Sequence, residues 1–317
     1  MTQMSGPASV RLIPPTQLEK NPENPRLIFR EDELQSLEDS ISAQGILVPL
    51  TVYSKGGHFV LLDGERRWMC ALKLGLLDVP AIVQPEPDQF QNIMMMFAIH
   101  NARRDWDPLP TAYKLRQLEA MFTQRHGFPP KERELANLAS LQRGEVRRLK
   151  RILELPEHYQ ALLMDELKKP RSDQRLTVDV LLETTRGAAA LQKRQIITSA
   201  EEIELRDSIV EKFATRVTQN TVEPRQLARI ARAVERGDVP DHVARRVVKQ
   251  LISDPGFTIA AAYSQSVEGA DWEHSLEQLV ARVSRELEES IERGSVIRSG
   301  LRRELVSLRA LITRILG

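Results

Sequence analysis

Apolar and polar positions alternate from His58 to Leu62 and then, past Asp63-Gly64, give way to a helical spacing through Trp68, Ala71 and Leu72. The first pattern predicts a strand and the second a helix ending near Gly75, joined through glycine. Leu47 to Tyr53 predicts a second strand, and Lys55-Gly56-Gly57 a hairpin turn between the two. Val10 to Ile13 and Val79 to Val83 add short strands. From Glu31 to Gln44 the pattern is helical: Leu34, Leu37 and Ile41 share a face, acids crowd the first turn and Gly45 stops it. Asn21-Pro22-Glu23-Asn24-Pro25-Arg26 holds two prolines and reads as an irregular loop. Residues 1 to about 9 read as a disordered lead, and Gln89 to His100 as another helix, with Met94-Met95-Met96 in its core face. Together these make an α/β unit of about a hundred residues.

After Pro110 the strand patterns vanish. Helices are expected over Thr111–Arg125, Lys131–Ser140, Gly144–Leu155, Glu157–Leu167 and Thr177–Glu183, with Trp106 anchoring the hinge before them. The rest, from Gly187, is helical too. Leu276, Leu279, Val283, Leu287 and Ile291 form one apolar stripe there, and Leu301, Leu305, Leu308, Ile312 and Ile315 a second with heptad steps, the seam of a coiled coil or bundle. The fold class is therefore α+β, in three parts: 1–105 α/β, 106–186 all-α, and 187–317 all-α for self-association or a partner.

With 317 residues, 41% of them hydrophobic and 28% charged, the chain has a globular composition. It shows no apolar run long enough to span a membrane and no signal-peptide pattern, so a cytoplasmic location is expected. A single cysteine, Cys70, excludes an internal disulfide framework and a cysteine-based zinc site. The net charge of +1 hides an uneven distribution: Asn101 to Arg151 holds twelve Lys/Arg against six Asp/Glu, an excess of six. A basic middle segment points to nucleic acid.

Two stretches carry candidate chemistry. Gly64-Glu65-Arg66-Arg67 opens a helix after a strand, so backbone N–H groups there lack intrahelical partners and favour an anion. Gly64 permits close approach of phosphate, and Arg66 and Arg67 can fork onto its oxygens. Lys131 to Leu155 has the layout of a helix-turn-helix. Val146, Leu149, Ile152 and Leu153 face inward, and Gln142, Arg143, Arg147, Arg148, Lys150 and Arg151 are its candidate DNA contacts. Arg147 and Arg148 point about 100° apart, so one suits a base edge and the other a phosphate.

The order of these pieces resembles the ParB/Spo0J family of chromosome and plasmid partition proteins. The matching elements are Asn21 to Arg26, the Gly45 helix end with Pro49-Leu50, Gly64-Glu65-Arg66-Arg67-Trp68, Leu74-Gly75, Val79-Pro80-Ala81-Ile82-Val83, His100-Asn101-Ala102-Arg103-Arg104 and the helix pair, over about residues 10 to 165. The resemblance implies an N-terminal domain of the ParB/sulfiredoxin-like fold that binds CTP with Mg2+. It also implies sequence-specific binding of double-stranded DNA, a homodimeric sliding clamp, a ParA-like ATPase as partner, and association with nucleoid or plasmid. By position, Gly64, Glu65, Arg66 and Arg67 would cradle the triphosphate, with Asn24 and Arg26 beside it, and Gly45 would line the cytosine pocket. Asn101 would supply a metal ligand and Arg104 a further phosphate contact. His100 stands where the family has glutamate, and Asn24 where it has glutamine, so any CTP hydrolysis is expected to be weak, lost or differently organised. The alternatives are a transcriptional regulator with a vestigial nucleotide pocket and a ParB-like nuclease. Sulfiredoxin-like chemistry would use Cys70, for which core packing is the expectation.

Overall fold

The computed structural model describes residues 9–101 and 107–316, without the side chains of His100 and Asn101. The expected N-terminal lead, the side chain of Asn101, and Arg104 and Trp106 thus lie outside the described residues, apart from Ser9 of the lead.

Five strands, β1 (Val10–Ile13), β2 (Leu18–Glu19), β3 (Leu50–Lys55), β4 (His58–Asp63) and β5 (Val79–Gln84), form one sheet in the order β1-β5-β3-β4-β2. The hairpin pairs β3 with β4 antiparallel, and Gly56 and Gly57, both at positive φ, make the tight turn. β5 returns parallel to β3 and pairs antiparallel with β1. β2, two residues long, carries no pattern that sequence could have read, and it pairs parallel with β4. Strand alternation separates two faces. Leu50, Val52 and Leu61 pack with Trp68 and Ala71 of helix α2 (Glu65–Lys73), against which α1 (Glu31–Gln44) lies. Tyr53, Val60 and Leu62 pack on the other side with Met96 of α3 (Gln89–Asn101).

Among the described residues nine helices follow to the end of the core: α4 (Pro108–His126), α5 (Glu132–Leu138), α6 (Arg143–Leu153), α7 (Glu157–Lys168), α8 (Val178–Lys193), α9 (Ser199–Ala214), α10 (Arg225–Arg236), α11 (Asp241–Ser253) and α12 (Ile259–Ser264). One continuous apolar core links them, from Ile93 and Phe97 of α3 through Leu149 and Leu191 to Val267. α8 passes unbroken through the expected boundary at 186/187. Gly187 is the point where α8 crosses α10: a Cβ there would lie 2.6 Å from Cβ of Leu227. Two long helices, α13 (Glu268–Glu292) and α14 (Ser299–Leu316), hold no buried residue, so the apolar stripes expected on them lie exposed or half-exposed in the single chain.

Candidate functional site

Gly64 sits between β4 and α2 at φ 99°, ψ 20°, a left-handed conformation that strains any residue with a Cβ. Such a Cβ would also stand 2.8 Å from Cγ of Leu50 and 3.2 Å from Nη2 of Arg67. The first intrahelical bond runs from Trp68 N to Gly64 O at 2.9 Å, so the N–H groups of Glu65, Arg66 and Arg67 precede the ladder and point out of the helix start.

The paired arginines do different things. Arg67 forms an ion pair with Asp63, 2.9 Å from Nη2 to Oδ2, and donates through Nη1 to the carbonyls of Val48 and Pro49 (3.0 Å to Pro49). It braces the segment after Gly45 against the turn. Arg66 donates to the backbone carbonyl of Glu33 at 2.7 Å and lies 3.8 Å from its carboxylate, and it opens onto a pocket of about 430 Å³ shared with Arg26, Asp32, Ser36 and Arg171. Burial pushes the Glu33 carboxyl up, but a hydrogen bond from Arg171 and the charges of Arg171, Arg66 and Arg30 outweigh that and hold it below the usual carboxylate range.

Glu65 is buried beside the turn. Its Oε2 accepts from Nδ2 of Asn24 at 2.6 Å, and Lys20 lies 3.9 Å away. Burial pushes its carboxyl above the ordinary value, against the pull of Asn24, Lys20 and Arg26. Oδ1 of Asn24 in turn accepts the backbone N–H of Arg26 at 2.9 Å, which fixes the loop. That loop is locked to the helices behind it: Glu23 accepts from Gln89 (2.9 Å), Gln117 (2.7 Å) and Lys114 (3.1 Å). Asn24, Arg26, Glu65 and Arg66 are thus brought together around the turn. Gly45 ends α1 at φ 71° with open space where a Cβ would go. It lies three residues before Val48, whose carbonyl, with that of Pro49, Arg67 grips, and among the described residues no contact brings Gly45 itself to the turn.

The basic helix pair is α5 and α6, joined by residues 139–142, with Ser140 at positive φ. Val146, Leu149 and Ile152 are buried, and the arginines of α6 face out. Several are already held by acids of the same chain. Glu132 accepts from Arg143 at 2.8 Å and lies 3.6 Å from Arg147; Asp179 accepts from Arg148 at 3.0 Å; Glu119 accepts from Lys150 at 2.6 Å. Arg147, Arg148 and Arg151 line a groove of about 540 Å³ with Asp179, Glu183 and Arg186 of α8. Gln142 is exposed at the start of α6.

Sequence reasoning missed Glu33, Arg171, Asp179 and Arg186. Each reaches its site from another element, and no local spacing marks it. Cys70 is buried, its Sγ 3.7 Å from the carbonyl of Leu34, and burial pushes its thiol up, in keeping with a packing role. Among the described residues no three His, Cys, Asp or Glu are grouped to hold a metal ion. Nor is any helix there long and apolar enough to cross a membrane.

An α/β domain with a strand-glycine-helix turn at Gly64, followed by a helical array carrying a basic helix pair, defines the class. Residues 1–100 match the family model of the ParB N-terminal domain, and over its first half the chain is similar to chromosome-partitioning ParB proteins. It is 35% identical over 156 residues to a probable chromosome-partitioning protein ParB of Xylella fastidiosa, covering 49% of this chain and 48% of that protein. It is 34% identical over 162 residues to the chromosome-partitioning protein Spo0J of Thermus thermophilus, covering 50% of this chain and 57% of that one. A C-terminally truncated ParB from Caulobacter crescentus complexed with CTP-γ-S is similar at 29% identity, covering 50% of this chain and 85% of that chain with a TM-score of 0.29. The chain spans about half the length of the curated relatives it matches.

Proposed function

We propose that this chain is a ParB-like protein of chromosome or plasmid partition, whose N-terminal domain binds CTP with Mg2+ and whose α5–α6 pair is a helix-turn-helix reading double-stranded DNA. The observation that carries the reading is the Gly64 turn: a helix start with no room for a Cβ, in a ParB N-terminal domain, with Arg66 at its rim. Backbone N–H groups and a guanidinium at that point suit a polyphosphate. In this reading Gly64, Glu65 and Arg66 hold the phosphates, and Arg67 supports the wall. Asn24 and Arg26 close the side, Gly45 borders the base, and Arg104 adds a phosphate contact. Mg2+ takes oxygen ligands and would neutralise phosphate charge. In this reading the cation would be carried in by the phosphates, and Asn101 would be the protein's oxygen ligand. The exposed stripes of α13 and α14 support a homodimer, the form in which a DNA clamp would close, and a ParA-like ATPase is the partner the role implies.

One observation favours a second reading, a DNA-binding regulator with a vestigial pocket: Glu33 and Asp63 already engage Arg66 and Arg67. Calorimetric titration with CTP, ATP, GTP and UTP plus Mg2+, with and without duplex DNA, separates the two. The proposal expects CTP to bind preferentially. Arg66→Ala should weaken it by about tenfold or more, since a charge-assisted hydrogen bond contributes about 1.5–3 kcal/mol. Failure of every nucleotide to bind overturns it in favour of the second reading.

A further inference from the structure

Arg171 follows α7 in a 3-10 turn (Arg171–Asp173), 105 residues after Arg66 in the chain, yet it lines the same pocket as Arg26 and Arg66. The loop that carries it is built to hold its position. Buried Glu166 accepts the backbone N–H of Arg175 at 2.7 Å and of Leu176 at 3.4 Å, and pairs with Lys169. Arg175 donates to the carbonyl of Ala214 at 2.8 Å, and Gln174 to that of Lys169 at 3.1 Å. From this platform Nε of Arg171 reaches Oε1 of Glu33 at 3.1 Å. The carboxylate of Glu33 therefore lies among three guanidinium groups, those of Arg30 (3.4 Å), Arg66 (3.8 Å) and Arg171. A carboxylate held by several arginines occupies the place that a phosphate oxygen would take. The Arg171 side chain is 62% exposed, so its bond to one carboxylate is weak and exchangeable, whereas a polyphosphate offers it several anionic oxygens.

We propose that Arg171 is a phosphate-binding residue of the N-terminal site, delivered from the helical part of the chain, and that Glu33 is the internal anion it exchanges for phosphate. This rests on reading the Gly64 turn as a polyphosphate site. The site then closes between two parts of the chain: the turn provides one wall, and the loop after α7 provides the cation opposite.

The test titrates the full-length chain with CTP plus Mg2+, and separately with inorganic tripolyphosphate. The variants are R171A, R171K, E33Q and R66A, each checked for an unchanged thermal midpoint and circular dichroism. Arg171→Ala is expected to weaken both ligands about tenfold, the loss of one charge-assisted bond, and Arg171→Lys less so. Glu33→Gln is expected to tighten them several-fold by removing the competing anion. A residue that merely braced the two parts would lower the thermal midpoint in R171A and E33Q alike and leave both affinities unchanged. If R171A binds as wild type does while R66A fails, Arg171 is overturned and the site at Gly64 stands. If wild type binds neither ligand, both proposals fall together.

Discussion

Substituting Gly64 by alanine tests the structural premise of the site directly. At φ 99° an alanine enters left-handed backbone, at a cost of about 1–2 kcal/mol. Its Cβ would also press to within 2.8 Å of Cγ of Leu50, a fully buried side chain in β3 that has no room to retreat; overpacking of this kind costs about 1–3 kcal/mol. Together about 2–5 kcal/mol of unfolding free energy should be lost, a large share of what holds a domain folded. Trp68 is the local reporter, buried on α2 with its indole N–H donating to the carbonyl of Pro15 at 2.8 Å. Urea unfolding followed by its fluorescence, with Trp106 and Trp272 replaced by phenylalanine in both parent and variant, should show an earlier midpoint at unchanged slope. The double variant Gly64→Ala, Leu50→Ala isolates the clash. The backbone strain remains, but the contact is gone, so the two losses should combine to less than their sum by the clash term, about 1–3 kcal/mol. A loss below about 0.5 kcal/mol in the single variant would refute the claim that this turn requires glycine.

Glu65→Gln should raise the thermal midpoint at pH 7 to 8 and give no gain at pH 4. The folded carboxyl titrates above its ordinary 4.5, so its contribution is full below that value and is lost as pH rises through the folded one. A midpoint gain independent of pH would show that burial of the charge is not the cause. Glu132→Gln releases Arg143 and Arg147, and DNA affinity at low salt should rise about two- to fivefold, the scale of exposed ion pairs. An unchanged affinity by fluorescence anisotropy would mean these arginines do not meet DNA.

How much of this was legible depended on the range of each interaction. The hairpin, α1 and the strand-glycine-helix turn follow from local periodicity, and they fall where the pattern put them. The second strand starts at Leu50 rather than Leu47, because Val48 and Pro49 give their carbonyls to Arg67 instead of the sheet. α8 runs on to Lys193 because Gly187 serves a helix crossing, which a one-dimensional pattern cannot distinguish from a break. The face of α6 was readable from its spacing, but Asp179, which holds Arg148, arrives from α8. The separation of roles between Arg66 and Arg67 needed coordinates, since two adjacent arginines look alike until their partners are known.

The root of α13 is tightly held. Asp271 accepts from Tyr263 at 2.7 Å and from Arg236 at 3.3 Å, and lies 3.6 Å from Arg229. Beyond that knot the helix runs on to Glu292 without burying a residue. At about 1.5 Å per residue, its 25 residues form a strut some 37 Å long. Such a strut is a ruler: it sets how far the end of α13 stands from the knot at Asp271. Adding or removing one helical turn would move that end by about 5.4 Å while leaving the knot unchanged. The reach of the helix is then set by a residue count, in a segment where the identity of most side chains matters less than their number.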